Sequence, residues 1–200
     1  EYLEPINTAA ERSVALTNRL LEYTGSRAFA RRPTELSDLL ARLRPRIDAM
    51  VTPSITADWQ VPVSGIVLNA DRSQIEFVVT ELASNAVHAL DGAGSISMRA
   101  WTDELRQPLE TPIRTVAPGR YAVIEVADTG RGIAPPDIRR IFDPFFSTQP
   151  FHASRGLGLS AVHGILGAHG GGLAVDSTQG HGTRMRVYLP LGASQPVLTA

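Results

Sequence analysis

Two hundred residues, 43% of them apolar and 20% charged, suit one domain with an ordinary buried core, or one domain with a short appendage. The lack of cysteine excludes disulfides and thiolate metal sites, and a formal net charge of -1 gives no global basic field to draw nucleic acid. No run approaches the ~20 apolar residues of a membrane helix, and no signal-peptide pattern opens the chain.

Residues 1 to about 28 predict one helix, with Ile6, Ala9, Ala10, Val14, Leu16, Leu20 and Leu21 on a broad small-and-apolar face of the bundle type. The basic Arg27, Arg31 and Arg32 lead to Pro33, a stop and linker. A second helix is expected over residues 36–50, followed by short strands around 54–59 and 65–69. Asp71, with Gln74 three residues on, has the form of a capping box opening a long helix to about Leu90, which Gly92 and Gly94 end. Residues 95–102 and 121–127 are strand candidates, with a Pro-containing loop between them at 103–120. A helix over 157–169, two strands at 173–177 and 183–189, and a loose tail complete the chain. Strands and helices do not alternate strictly, which favours one mixed sheet with helices on one face over a doubly wound fold.

Four segments carry candidate chemistry. On the long helix, Glu81, Asn85 and His88 share a stripe bordering the apolar face, where a pocket rim would sit. An asparagine oxygen suits Mg²⁺ and a histidine suits a phosphate, although an ordinary solvated helix edge has the same pattern. Asp128 follows the most apolar strand, and its carboxylate, an acceptor only, suits an exocyclic amine such as adenine's. Gly130 and Gly132 would let the backbone approach a flat ligand; a plain Asp-Thr-Gly turn reads equally well. Phe142, Phe145 and Phe146 read as a structural plug or hinge anchor. Finally, Arg155, Gly156, Leu157 and Gly158 open a helix, where backbone N–H groups can face a phosphate or merely make a turn. Residues 149–153 would serve as a lid.

Taken together and in order, these segments resemble the catalytic domain of sensor histidine kinases, within the GHKL superfamily of ATPases and kinases. The resemblance spans roughly residues 34–190, including Gly164–Gly172 and Gly180–Pro190, and puts a catalytic domain at 34–192 and a tail at 193–200. It implies a two-layer α/β sandwich of the GHKL (Bergerat) type, a mixed sheet with helices on one face. By the resemblance Asn85 binds magnesium, Asp128 binds adenine, Gly130 and Gly132 flank the base, and Gly156, Leu157 and Gly158 form the phosphate loop. His88 and Arg155 would add phosphate contacts, and Glu81 would orient or deprotonate the attacking imidazole. Residues 1–30 resemble the second helix of the dimerisation and phosphotransfer hairpin; the first helix would carry the phosphate-accepting histidine. None of His88, His152, His163, His169 and His181 lies in such a helix, and the chain begins at Glu1 rather than Met, so a fragment is expected.

The implied function is transfer of the γ-phosphate of ATP to a histidine and onward to a response-regulator receiver domain, in a full-length homodimer. A cytoplasmic location is expected for this portion, whether or not the parent protein is membrane-anchored, with no nucleic-acid or membrane contact. Two departures stand out: Ser154 replaces a lid glycine, and Glu81 replaces an asparagine common in the kinases. A GHKL ATPase using Glu81 as general base on water is therefore an alternative, and a nucleotide-free scaffold or phosphotransfer module is another.

Overall fold

The computed structural model describes residues 30–61, 65–112, 114–148 and 156–191. The expected amino-terminal helix, the 149–153 lid, Ser154, Arg155, His152 and the 193–200 tail lie outside the described residues.

Two strands come first in the sheet-forming order: β1 (Arg32–Glu35) pairs antiparallel with β3 (Val67–Ala70). The expected linker at Pro33 is thus the start of a strand, and proline is tolerated there because a two-stranded ribbon offers it an unpaired edge. Between them lie α1 (Leu36–Asp48) and β2 (Ile55–Gln60). The long helix α2 (Arg72–Ala89) is followed by β4 (Gly94–Leu105) and β5 (Gly119–Asp128). Two short 3-10 turns, Pro135–Asp137 and Arg140–Phe142, precede α3 (Gly158–Ala168), β6 (Gly172–Thr178) and β7 (Gly182–Pro190). The main sheet runs β2-β4-β5-β7-β6, with β2 parallel to β4 and every other pair antiparallel.

Period-2 burial explains the layering. Ala122, Ile124 and Val126 of β5, with Met185, Val187 and Leu189 of β7, face the helices and join one core. Into it α2 inserts Ile75, Val78, Val79, Leu82 and Ala86, the stripe its periodicity predicts. Each fully buried Val, Leu or Ile there contributes on the order of 1.5–3 kcal/mol. From α1 come Leu36, Leu39, Leu40, Leu43 and Ile47, and from α3 Val162, Ile165 and Leu166. The expected mixed sheet with helices on one face is what forms.

The opposite face is partly covered too, which the loop expected at 103–120 did not foresee. β4 extends to Leu105, β5 begins at Gly119, and Leu109 bridges to Val116. Val116, Tyr121, Val123 and Tyr188 form a second, smaller core with Trp101, Leu105 and Leu109 against it. Asp103 and Glu104, one on each face of the strand, break the apolar alternation beyond residue 102.

Both ends of α2 are fixed. Asp71 caps it by accepting from the N–H groups of Ser73 (3.0 Å) and Gln74 (3.4 Å). The reciprocal arm of the expected capping box does not form. The Asp71 N–H donates instead to His169 Nε2 at 3.1 Å, and Gln74 Oε1 is buried without a partner among the described residues. At the other end Asp91 and Gly92 take positive φ (47° and 94°) and turn the chain into β4. Among the described residues no helix is long and apolar enough to cross a membrane.

Candidate active site

One cavity of about 370 Å³ lies between α2, the end of β5, the start of β7 and the amino-terminus of α3. That volume is in the range of small-molecule clefts. The i, i+4, i+7 spacing on α2 carries Glu81, Asn85 and His88 to its wall together. Asn85 Nδ2 is buried and has no hydrogen-bond partner among the described residues. A buried amide nitrogen without a partner is costly in a native structure, so this one stands out on the cavity wall. His88 Nδ1 lies 3.3 Å from Ser84 Oγ one turn back.

Opposite α2, the wall is built at the β5–β7 pairing. Asp128 closes β5 and stands in register with Thr183 of β7, and both line the cavity. The Gly130 N–H donates to Asp128 Oδ1 at 2.8 Å, and the Thr183 N–H also donates to this carboxylate. Burial raises the Asp128 pKa above its ordinary value; these two amides and the Arg131 guanidinium pull the other way without cancelling it. The result is a desolvated acceptor beside an apolar wall of Val126, Ile133, Ile141, Phe146 and Met185.

Of the glycines, Gly132, Gly156 and Gly158 line the cavity and Gly130 does not. A side chain at Gly130 would strike the Ala89 carbonyl, and the next residue, Arg131, donates its N–H to that same oxygen at 3.0 Å. Gly130 therefore lets the turn after β5 dock on the end of α2; it is not part of the cavity wall. Gly132 does line the wall, with a φ of 65° and the Thr178 carbonyl where a Cβ would be. Gly156, also left-handed at 69°, packs on the Phe145–Phe146 backbone, and its carbonyl accepts the Phe145 N–H at 3.0 Å. Gly158 is the first residue of α3, and a methyl there would overlap Glu81 Oε2. The Glu81 carboxylate thus rests over the first turn of α3, where the helix dipole favours negative charge. Leu157 is buried, precedes α3 and is absent from the wall. Arg155 lies outside the described residues.

Nor are the three phenylalanines equivalent. Phe142 is buried, as a plug should be. Phe146 walls the cavity, with the Arg140 guanidinium 4.5 Å from its ring centroid. Phe145 is 65% exposed with a φ of 67°, so it plugs nothing in the described structure. Thr183 and Met185 were not singled out by sequence. The alternation of Thr183, Met185 and Val187 with Arg184 and Arg186 marks them as inward-facing, but only the strand register sets Thr183 beside Asp128.

A family model described as histidine kinase-, DNA gyrase B- and HSP90-like ATPase matches residues 70–193. The chain belongs to that family. Among curated relatives, it is 32% identical over 185 residues to the sensor kinase CckA of Brucella abortus, covering 92% of this chain and 20% of that protein. It is 34% identical over 131 residues to the sensor histidine kinase ZraS of Salmonella typhimurium, covering 64% and 24%. The chain therefore spans a quarter or less of the length of these relatives. Among solved structures, full-length ShkA in complex with AMPPNP superposes with a TM-score of 0.70 at 24% identity, over 96% of this chain and 39% of that one. The mycobacterial sensor histidine kinase MprB gives 0.63 at 24% identity, over 80% and 97%. The fold is that of a GHKL catalytic domain, and the domain is the ATP-binding catalytic part found in sensor histidine kinases.

Proposed function

We propose that this domain binds Mg-ATP in the cavity and passes the γ-phosphate to a histidine that is not among those of this chain, from which it moves to a response-regulator receiver domain. The observation that carries this reading is the convergence of a desolvated carboxylate acceptor, an asparagine whose buried Nδ2 has no partner among the described residues, and a helix amino-terminus on one cavity.

In this reading the adenine amine donates to Asp128 while Ile133, Met185 and Phe146 sandwich the apolar base. The phosphates run toward His88 and the first turn of α3, whose backbone N–H groups attract negative charge. Asn85 fits a magnesium ligand: it lines the cavity, and its side-chain oxygen is the hard donor that cation takes along with phosphate oxygens. Bound there, the ion neutralises charge on the triphosphate. The domain's own contribution is positioning and electrostatics: nitrogen attacks phosphorus in line, the bond to the β-phosphate oxygen breaks, and ADP leaves. Glu81, one turn before Asn85 on the same cavity wall, would orient the incoming imidazole or accept its proton.

The test uses the natural full-length protein with radiolabelled ATP. Acid-labile, base-stable label on the protein, lost in Asn85→Ala, is expected. Stable label-free protein that still binds ATP would contradict transfer to histidine.

A further inference from the structure

The first described residues of the chain dock beside a histidine that the cavity does not use. His169 follows the last residue of α3 and is 5% exposed, with both ring nitrogens committed. Its Nδ1 lies 2.9 Å from the Ile165 carbonyl, which can only accept, so Nδ1 carries a proton. Its Nε2 lies 3.1 Å from the Asp71 backbone N–H, which can only donate, so Nε2 carries none. One neutral tautomer satisfies both partners. The imidazolium does not, because a proton on Nε2 meets the Asp71 N–H head on.

The same place holds the entering chain. Asp71 Oδ1 caps α2, while Oδ2 accepts the Ala30 N–H at 3.3 Å. The Arg31 guanidinium donates to the carbonyl of Ala168, the last residue of α3. From Arg32 onward the chain is held independently, by the pairing of β1 with β3. Burial opposes a charge on the His169 ring and the Ile165 carbonyl favours it; Arg31 of the entering segment opposes it and Asp71 at the start of α2 favours it.

We infer that His169 is a proton-operated clasp on the entering chain: neutral, it closes the seam between α2 and α3 against Ala30 and Arg31, and protonated, it lets both residues go. The imidazolium exchanges the Asp71 N–H for the Asp71 carboxylate and draws Oδ2 away from Ala30. Its charge also repels Arg31 from the Ala168 carbonyl. The β1–β3 pairs are backbone pairs and remain, so the point from which the preceding chain can swing moves from Ala30 to Arg32. One ring changing from acceptor to donor is the whole device.

The test is nuclear magnetic resonance on the whole chain from about pH 8 down to about pH 5, the range in which histidine changes charge. It follows the His169 ring-nitrogen shifts together with amide hydrogen exchange, corrected for the intrinsic pH dependence of exchange. At the upper end the ring should carry its proton on Nδ1; a proton on Nε2 instead overturns the inference. As the ring titrates, protection of the Ala30 and Asp71 amides should fall by up to about tenfold per pH unit, the effect of one proton. Both should exchange faster than the Ile124 amide of β5, which opens only with the sheet. Loss that does not track the ring, or exchange at Ala30 and Asp71 no faster than at Ile124, overturns the inference. His169→Gln offers the Asp71 N–H an acceptor but takes up no proton, so its Ala30 protection should be flat with pH; the wild-type slope there overturns the inference as well. If that variant does not fold, Arg31→Ala serves. Removing the cation should move the ring titration and the loss of Asp71 protection to higher pH together, and an unmoved titration is the contrary result.

Discussion

Replacing Asp128 with asparagine separates what this carboxylate does for a ligand from what it does for the fold. In the folded chain the Gly130 N–H sits 2.8 Å from Oδ1, and the Thr183 N–H donates to the same group. Asparagine keeps one acceptor oxygen, which Gly130 claims, and turns its NH₂ toward Thr183 and the cavity. A donor then faces the adenine amine. Losing a hydrogen bond to a charged acceptor costs about 1.5–3 kcal/mol, or roughly 10- to 150-fold in affinity. Stability should move the other way. Burial holds the Asp128 pKa above 3.8, so the folded state binds the proton more readily than the unfolded one. The folded chain thus loses stability as pH rises from 3.8 through the raised value, and at neutral pH it carries the cost of a buried charge. The neutral amide escapes that cost, which offsets the Thr183 N–H bond it gives up. Calorimetry and thermal unfolding at neutral pH should show ATP affinity lost while the nucleotide-free melting temperature is kept or raised. Unchanged affinity would refute the role of Asp128, and a parallel drop in melting temperature would show that the loss is one of folding.

Other consequences follow from groups away from the cavity. His169 is buried, with Nδ1 2.9 Å from the Ile165 carbonyl and Nε2 accepting the Asp71 N–H. Burial lowers its pKa below 6.5, an effect the Ile165 bond and Asp71 oppose and Arg31 reinforces. The unfolded chain therefore protonates first, and stability should fall as pH drops below about 6.5, by at most about 1.4 kcal/mol per pH unit. Thermal unfolding of His169→Gln should show a flatter pH dependence; an identical one would contradict the assignment. Glu125, only 5% exposed, pairs with Arg186 Nε at 2.8 Å and Arg184 Nε at 3.3 Å. Glu125→Ala leaves two arginines facing each other and should cost about 1–3 kcal/mol, less than a fully buried pair because both guanidiniums reach water. Denaturant unfolding with an unchanged midpoint would rule that out.

What could be read before the fold was known was local. Asp71 announced the start of α2, and the spacing of Glu81, Asn85 and His88 put them on one rim, because a helix converts spacing into direction. What was hidden depends on pairing across the sheet. Thr183 acquires meaning only from its register with Asp128, a non-local fact with no trace in either segment. At Gly130 sequence leaves a ligand-facing glycine and a plain turn equally open, because it cannot show that the end of α2 lies against it. The capping box was half right, since Gln74 has the correct spacing but His169, far along the chain, takes the Asp71 N–H. Phe145 and Phe146 are neighbours of one type, and only the left-handed backbone at Phe145 sends one outward while the other walls the cavity.

The central claim is a nucleotide site that holds ATP for transfer to a separate histidine. It is tested most directly by titrating this chain with Mg-ATP while following phosphate release in the same sample. Saturable binding with almost no release is the predicted result. No binding of any adenine nucleotide would contradict the claim, and so would sustained release that disappears in Glu81→Ala, which would make Glu81 the base of a water-activating ATPase.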